Sequence, residues 1–248
     1  MRMPKCFSMI LMSLALTALA LISSPPAAGQ EGGLRDPNPQ EKQILMHYRD
    51  VIGKILDQFQ SDDWEEKVDY EITDDVSVSG DPDVPLDVNE MIQRSYNIRP
   101  GSALYQKDVA PLAEKLTATT DPNEMARLAK QRKVTNLTVE VHFNHLCTGL
   151  DSAPAAGSDL HIPGAAMAYH IKPAKFGRGA AVVLLFGNWK TATWNADNSC
   201  ERYKFKHATH QPAIENVVIQ MDGSPERIDQ LLKAVKWDEV NSGLTEKP

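Results

Sequence analysis

Between 39 and 59 the apolar residues Ile44, Leu45, Tyr48, Val51, Ile52, Ile55, Leu56 and Phe59 recur at intervals of three and four. That period draws one apolar stripe along an α-helix. Asn38 can cap its start, Pro39 suits the first helical position, and Glu41 completes a capping box. The period then changes. Val68, Tyr70 and Ile72, followed by Val76 and Val78, alternate with polar residues and predict short strands, joined as a hairpin around 73–75. The stretch SGDPDVPLD is turn chemistry with two prolines. Asp87 with Glu90 gives a second capping signal, and helices are expected over 88–96, 102–116 and 122–133. Asp121 with Glu124 caps the last of these, and Pro111 must kink or divide the middle one.

From Val134 onward the texture is that of strands: 134–147, 165–172, 180–189, 202–207 and 213–221, separated by Gly-, Pro- and Asn-rich connections. Residues 180–186 and 217–221 are nearly all apolar, which fits central strands covered on both faces. Asp222-Gly223 predicts a turn. Ser224-Pro225 then begins a closing helix whose Ile228, Leu231, Leu232 and Val235 face one way. The implied class is α+β, with a mainly antiparallel sheet in the C-terminal half packed by an N-terminal helical region and a C-terminal helix. Three segments follow: 1–29 as a signal peptide, 30–133 as a mostly helical region with an acidic loop, and 134–248 as sheet plus final helix. The last two are read as one domain.

Composition adds a compartment. Arg2 and Lys5 precede an uncharged run over 7–22, and Pro25, Pro26 and small residues follow. This is the pattern of a secretory signal, with cleavage best placed after Gly29. The run is shorter than the ~20 residues that comfortably span a bilayer. The expected location is therefore the periplasm or the extracellular space, with no transmembrane segment after cleavage. The net charge is −7, concentrated between Asp57 and Glu90. An acidic chain has no electrostatic footprint for nucleic acid, so that partner is set aside. Beyond 29 only Cys147 and Cys200 remain, and in an oxidising compartment they are expected to form one disulfide.

Candidate chemistry centres on VTNLTVEVHFNHLC. Read as one pleated strand, it sends Leu137, Val139, Val141, Phe143, His145 and Cys147 one way and Thr138, Glu140, His142 and Asn144 the other. His142 and His145 then cannot share one zinc ion. A Cys2His2 cluster of His145, Cys147, Cys200 and His207 competes with the disulfide and is disfavoured by the compartment. No metal or cofactor is expected. Asp81, Asp83 and Asp87 lack the full pattern of an EF-hand loop, and Gly177 and Gly179 precede a strand where a phosphate loop must follow one. GxSxG, HExxH and CxxC are all missing from the sequence.

Two surfaces qualify for binding. Trp189 and Trp194 bracket a strand-like piece, one indole expected in the core and one at its rim. Arg202, Lys204 and Lys206 form a basic stripe suited to guarding a sheet edge or meeting an anionic partner. The expected function is a non-enzymatic binding or envelope-associated module, with an envelope component, a protein or a small ligand as partner. The alternative is a metal-assisted or acid–base hydrolase using His145, His170, His207 or His210, which requires several of these side chains to converge in one pocket.

Overall fold

Asn38 starts the first helix as its side chain dictates. Its Oδ1 accepts from the Gln40 and Glu41 amides at 2.9 and 3.0 Å, and the Glu41 carboxylate accepts from the Asn38 amide at 2.7 Å. Arg35 adds a two-pronged bond to that carboxylate and holds it below the usual carboxylate range. The box fixes the register of α1 (Pro39–Leu56), whose Leu45, Tyr48, Ile52, Ile55 and Leu56 are buried. Each fully buried aliphatic side chain contributes about 1.5–3 kcal/mol through removal from water.

The computed structural model describes residues 33–73, 75–79, 86, 92–134, 136–144, 160–171, 180–189, 193–194, 203–204 and 213–244. Around α1 lie β1 (Leu34–Arg35), β2 (Trp64–Tyr70), β3 (Val78–Ser79) and β4 (Ile92–Ile98). A π-helical turn (Tyr105–Val109) leads into α2 (Ala110–Ala118) and α3 (Pro122–Val134). Then come β5 (Leu137–Phe143), β6 (Met167–Ile171), β7 (Ala180–Gly187), β8 (Thr193–Trp194), β9 (Tyr203–Lys204) and β10 (Asn216–Gly223). The chain closes with α4 (Pro225–Ala234), capped by Ser224, and a 3-10 segment (Trp237–Gly243).

The protein is α+β, built on a six-stranded antiparallel sheet in the order β2-β4-β5-β10-β7-β6. One face carries the main core. Leu137, Val139, Val141 and Phe143 of β5 meet Val182, Leu184 and Phe186 of β7 and Val217, Ile219 and Met221 of β10 there, under α1, α4 and Trp237. Tyr48 ties the layers together. Its ring meets Phe143 edge-on at 5.2 Å, and its hydroxyl donates to the Val240 carbonyl at 2.5 Å. On the opposite face a smaller cluster joins Tyr169, Val183, Leu185, Trp189 and Val218. β7 and β10 are thus covered on both faces, which is why their sequences are nearly all apolar. Among the described residues no helix is long and apolar enough to cross a membrane.

Several expectations need correction. Residues 92–98 form a strand, where the capping pattern had suggested a helix over 88–96; Asp87 and Glu90 lie outside the described residues. Ile92, Arg94, Tyr96 and Ile98 are buried alternately, a period of two that the charged Arg94 disguises. Arg94 reaches Asp57 at 2.6 Å and Glu66 at 2.5 Å, and that pairing lets an arginine face the core. Among the described residues no hairpin joins the alternating residues around 73–75: β2 pairs with β4, and β3 pairs with β1. Of the strand expected over 134–147, the described part spans Leu137–Phe143: Val134 ends α3, Asn144 turns the chain with a left-handed φ of 51°, and 145–147 lie outside the described residues. Strand β10 also runs through Asp222 and Gly223, where a turn was expected. Of 202–207, only Tyr203–Lys204 is described as strand, paired with Thr193–Trp194.

Candidate functional site

Of the four histidines that the hydrolase reading requires to converge, only His170 lies among the described residues. His142 stands opposite Val218 on the face away from the main core. His170 pairs with Val182, on the core-bearing face, and is exposed. Three strand spacings separate β5 from β6 in the sheet, about 14 Å at the usual interstrand distance. Among the described residues no three metal-binding side chains come together. His145, His207 and His210, with Cys147 and Cys200, lie outside the described residues, as do Arg202 and Lys206. The turn at Asn144 ends the pleat before His145, so the face of His145 cannot be counted along from β5.

The binding residues divide similarly. Trp189 is 1% exposed, and its indole N–H donates to the Phe186 carbonyl at 2.8 Å. Its ring is spent on packing with Tyr169, Val183, Leu185 and Val218. Trp194 and Lys204 belong to the β8–β9 ladder, opposite Tyr203 and Thr193 respectively.

Among the described residues an open cleft lies elsewhere, between the helical hairpin α2–α3 and the start of α4. It has a volume of about 890 Å3 and is lined by Lys107, Asp108, Arg127, Lys130, Glu226 and Arg227, with Pro111 and Leu112 as apolar wall. Pro111 accounts for its shape. Lacking an N–H, it cannot donate to the carbonyl four residues back, and its ring would press on that carbonyl. The helix widens instead into the π turn at Tyr105–Val109, with the Ala110 amide donating to Tyr105. Lys107 and Asp108 ride on that turn.

Arg227 organises the floor. Buried, it donates to Asp108 at 2.5 Å and lies 5.1 Å over the Trp64 ring. Its amide is capped by Ser224, at 3.4 Å to Oγ. Glu226 is held below the usual carboxylate range by its own amide, then by the Ser224 hydroxyl, Arg227 and Lys107. Arg127 grips Glu124 with two bonds of 2.6 Å. Lys107 and Lys130 make no ion pair among the described residues. Four cations therefore face two carboxylates in a chain whose net charge is −7.

No family model matches this chain. No curated protein and no solved structure matches it either.

The arrangement can attract and neutralise an anion. It is poorly suited to general-base work, because Glu226 is shifted away from neutrality and a good base has a pKa near the working pH. The sequence shows the basic cluster at 127–133 and the interruption at Pro111, but not their meeting with α4, since Asp108 and Arg227 lie 119 positions apart.

Proposed function

We propose that the protein is exported and works by binding, holding a small polyvalent anion in the cleft between α2–α3 and α4. One observation carries this reading: an open cleft with a cationic surplus on an otherwise acidic chain. Concave sites with a few converging polar groups are the usual form of small-ligand pockets. Lys107 and Lys130, which make no ion pair among the described residues, supply positive charge, Arg227 is pinned by Asp108 and Trp64, and Pro111 with Leu112 supplies an apolar wall. Such a site strengthens as salt is lowered, because its lysines are exposed and screened.

Titration calorimetry with pyrophosphate and with citrate at low salt tests this site. Saturable binding is expected, and Lys107→Ala combined with Lys130→Ala should weaken it about tenfold or more, given two charge-assisted contacts. Equal binding by the double variant, or none by the native chain, removes the cleft from consideration. Export rests on the charged, apolar and small-residue order of 1–29. Mass spectrometry of the protein recovered outside the cytoplasm should show a chain beginning at Gln30. A chain that starts at Met1 and stays in the cytoplasm contradicts it.

A further inference from the structure

Among the described residues β2 is an outer strand of the sheet, paired only with β4. The Arg99 amide donates to the Asp63 carbonyl at 2.8 Å, and Trp64 stands opposite Ile98. Antiparallel ladders alternate. The main chain of residues 65 and 67 therefore faces β4, and that of 64, 66 and 68 faces outward. At Trp64 the outward groups are occupied: the N–H donates to Ser61 at 3.2 Å, and the carbonyl accepts from the Arg99 guanidinium at 3.0 Å. At Glu66 and Val68 they have no hydrogen-bond partner among the described residues. Val68 is 49% exposed and Tyr70 64% exposed, and a bulge between them ends the regular ladder.

Around this short edge carboxylates outnumber cations. Arg94 Nη1 serves both Asp57 and Glu66, so two carboxylates share one cation, and their side chains remain 55% and 34% exposed. At the head of the strand a hollow of about 520 Å3 is lined by Phe59, Asp62, Trp64, Glu66, Tyr96 and Arg99. Arg99 is already committed to Trp64. Tyr96 is buried, and its hydroxyl makes no hydrogen bond of regular geometry among the described residues, although the Arg94 side chain lies beside it. Lys67 is bound to Asp69 at 2.5 Å and does not neutralise the edge. A second copy offering the same edge would set acid against acid, and like charges across a strand pair repel.

We propose that the β2 edge is the docking site for an extended, basic segment of a partner protein. The segment adds as a further strand, exchanging main-chain hydrogen bonds with Glu66 and Val68. A lysine or arginine opposite Glu66 reaches the carboxylates of Asp57, Asp62 and Glu66 and fills the hollow beside Tyr96. The lining residues differ from those of the anion cleft, and Trp64, over whose ring Arg227 lies, stands between the two sites.

The test uses the full mature chain and two fluorescein-labelled probes, Ac-Lys-Val-Arg-Val-Lys-Val-NH2 and its acidic counterpart Ac-Glu-Val-Glu-Val-Glu-Val-NH2. Fluorescence anisotropy should show saturable binding of the basic probe and none of the acidic one. Val68→Pro removes an N–H that points away from β4, and it should weaken binding at least tenfold. Lys67→Glu adds acid beside the edge without opening the core, and it should tighten binding two- to fivefold. Amide exchange on the native chain gives a readout that needs no variant: the Glu66 and Val68 amides should become protected when the basic probe is added. Unprotected amides, or binding that ignores both substitutions, overturn the proposal in favour of diffuse charge attraction. Protection that rises with protein concentration alone overturns it in favour of a second copy, and absence of binding overturns it outright.

Discussion

Replacing Asn144 by alanine should lower the unfolding free energy by about 4 kcal/mol, the sum of several buried hydrogen bonds and one strained backbone. Asn144 is fully buried. Its amide nitrogen donates to the Ala213 carbonyl at 2.7 Å and the Leu86 carbonyl at 3.3 Å, and its oxygen accepts from the Glu215 amide at 2.8 Å. The Asn216 amide also donates to that oxygen, at 3.4 Å, and alanine deletes all four bonds and leaves main-chain groups buried without these partners, the costly side of hydrogen-bond arithmetic. Alanine must also hold a φ of 51°, which asparagine tolerates better. Urea denaturation separates the two effects. Asn144→Gly relieves the backbone but not the lost bonds, so it should recover about 1 kcal/mol relative to alanine. An Asn144→Ala midpoint equal to that of the native protein would show that the side-chain bonds are dispensable.

Gly187→Ala should be at least as damaging, with a loss of about 4 kcal/mol or more from overpacking combined with backbone strain. Gly187 ends β7 with a φ of 101° and stands opposite Asn216 of β10. A Cβ there would lie 2.2 Å from the Glu215 carbonyl oxygen and 3.0 Å from the Asn216 Cα. Both atoms belong to backbone at the start of the central strand β10, which cannot swing aside as a side chain can. The turn at Gly187 also returns Trp189 to its cluster, where it bonds to Phe186. Thermal unfolding should fall by roughly 8–16 °C, since a chain of this size loses about 2–4 °C per kcal/mol. A melting temperature within 2 °C of the native value would contradict the close approach. Both residues press on the same short segment, 213–216, so their effects should couple rather than add.

The helices at Pro39, Pro122 and Pro225 were legible because caps and prolines act locally: Asn38, Asp121 and Ser224 meet amides two or three residues ahead. β5, β7 and β10 were legible because burial on one face or both writes a distinctive string of letters. β4 was not, because Arg94 occupies a core-facing position and is neutralised by Asp57 and Glu66, residues brought together only by folding. The cleft was half legible. Its basic residues and its proline are visible in the sequence, but the salt bridge from Asp108 to Arg227 that closes its floor is long-range. The short edge at Glu66 and Val68 was invisible for a related reason: which strand ends a sheet is decided by pairing, and pairing is not written in any one segment.

The helical hairpin leaves the sheet at the end of β4 and rejoins it at β5, and these two strands are antiparallel neighbours. α2 has no buried residue, and α3 is anchored through Leu128. The hairpin is thus an excursion from a connection that a few residues could make, and the sheet needs little from it. Its sequence is free to drift, lengthen or be exchanged while the scaffold stays constant, so descendants of one framework could come to accept quite different molecules.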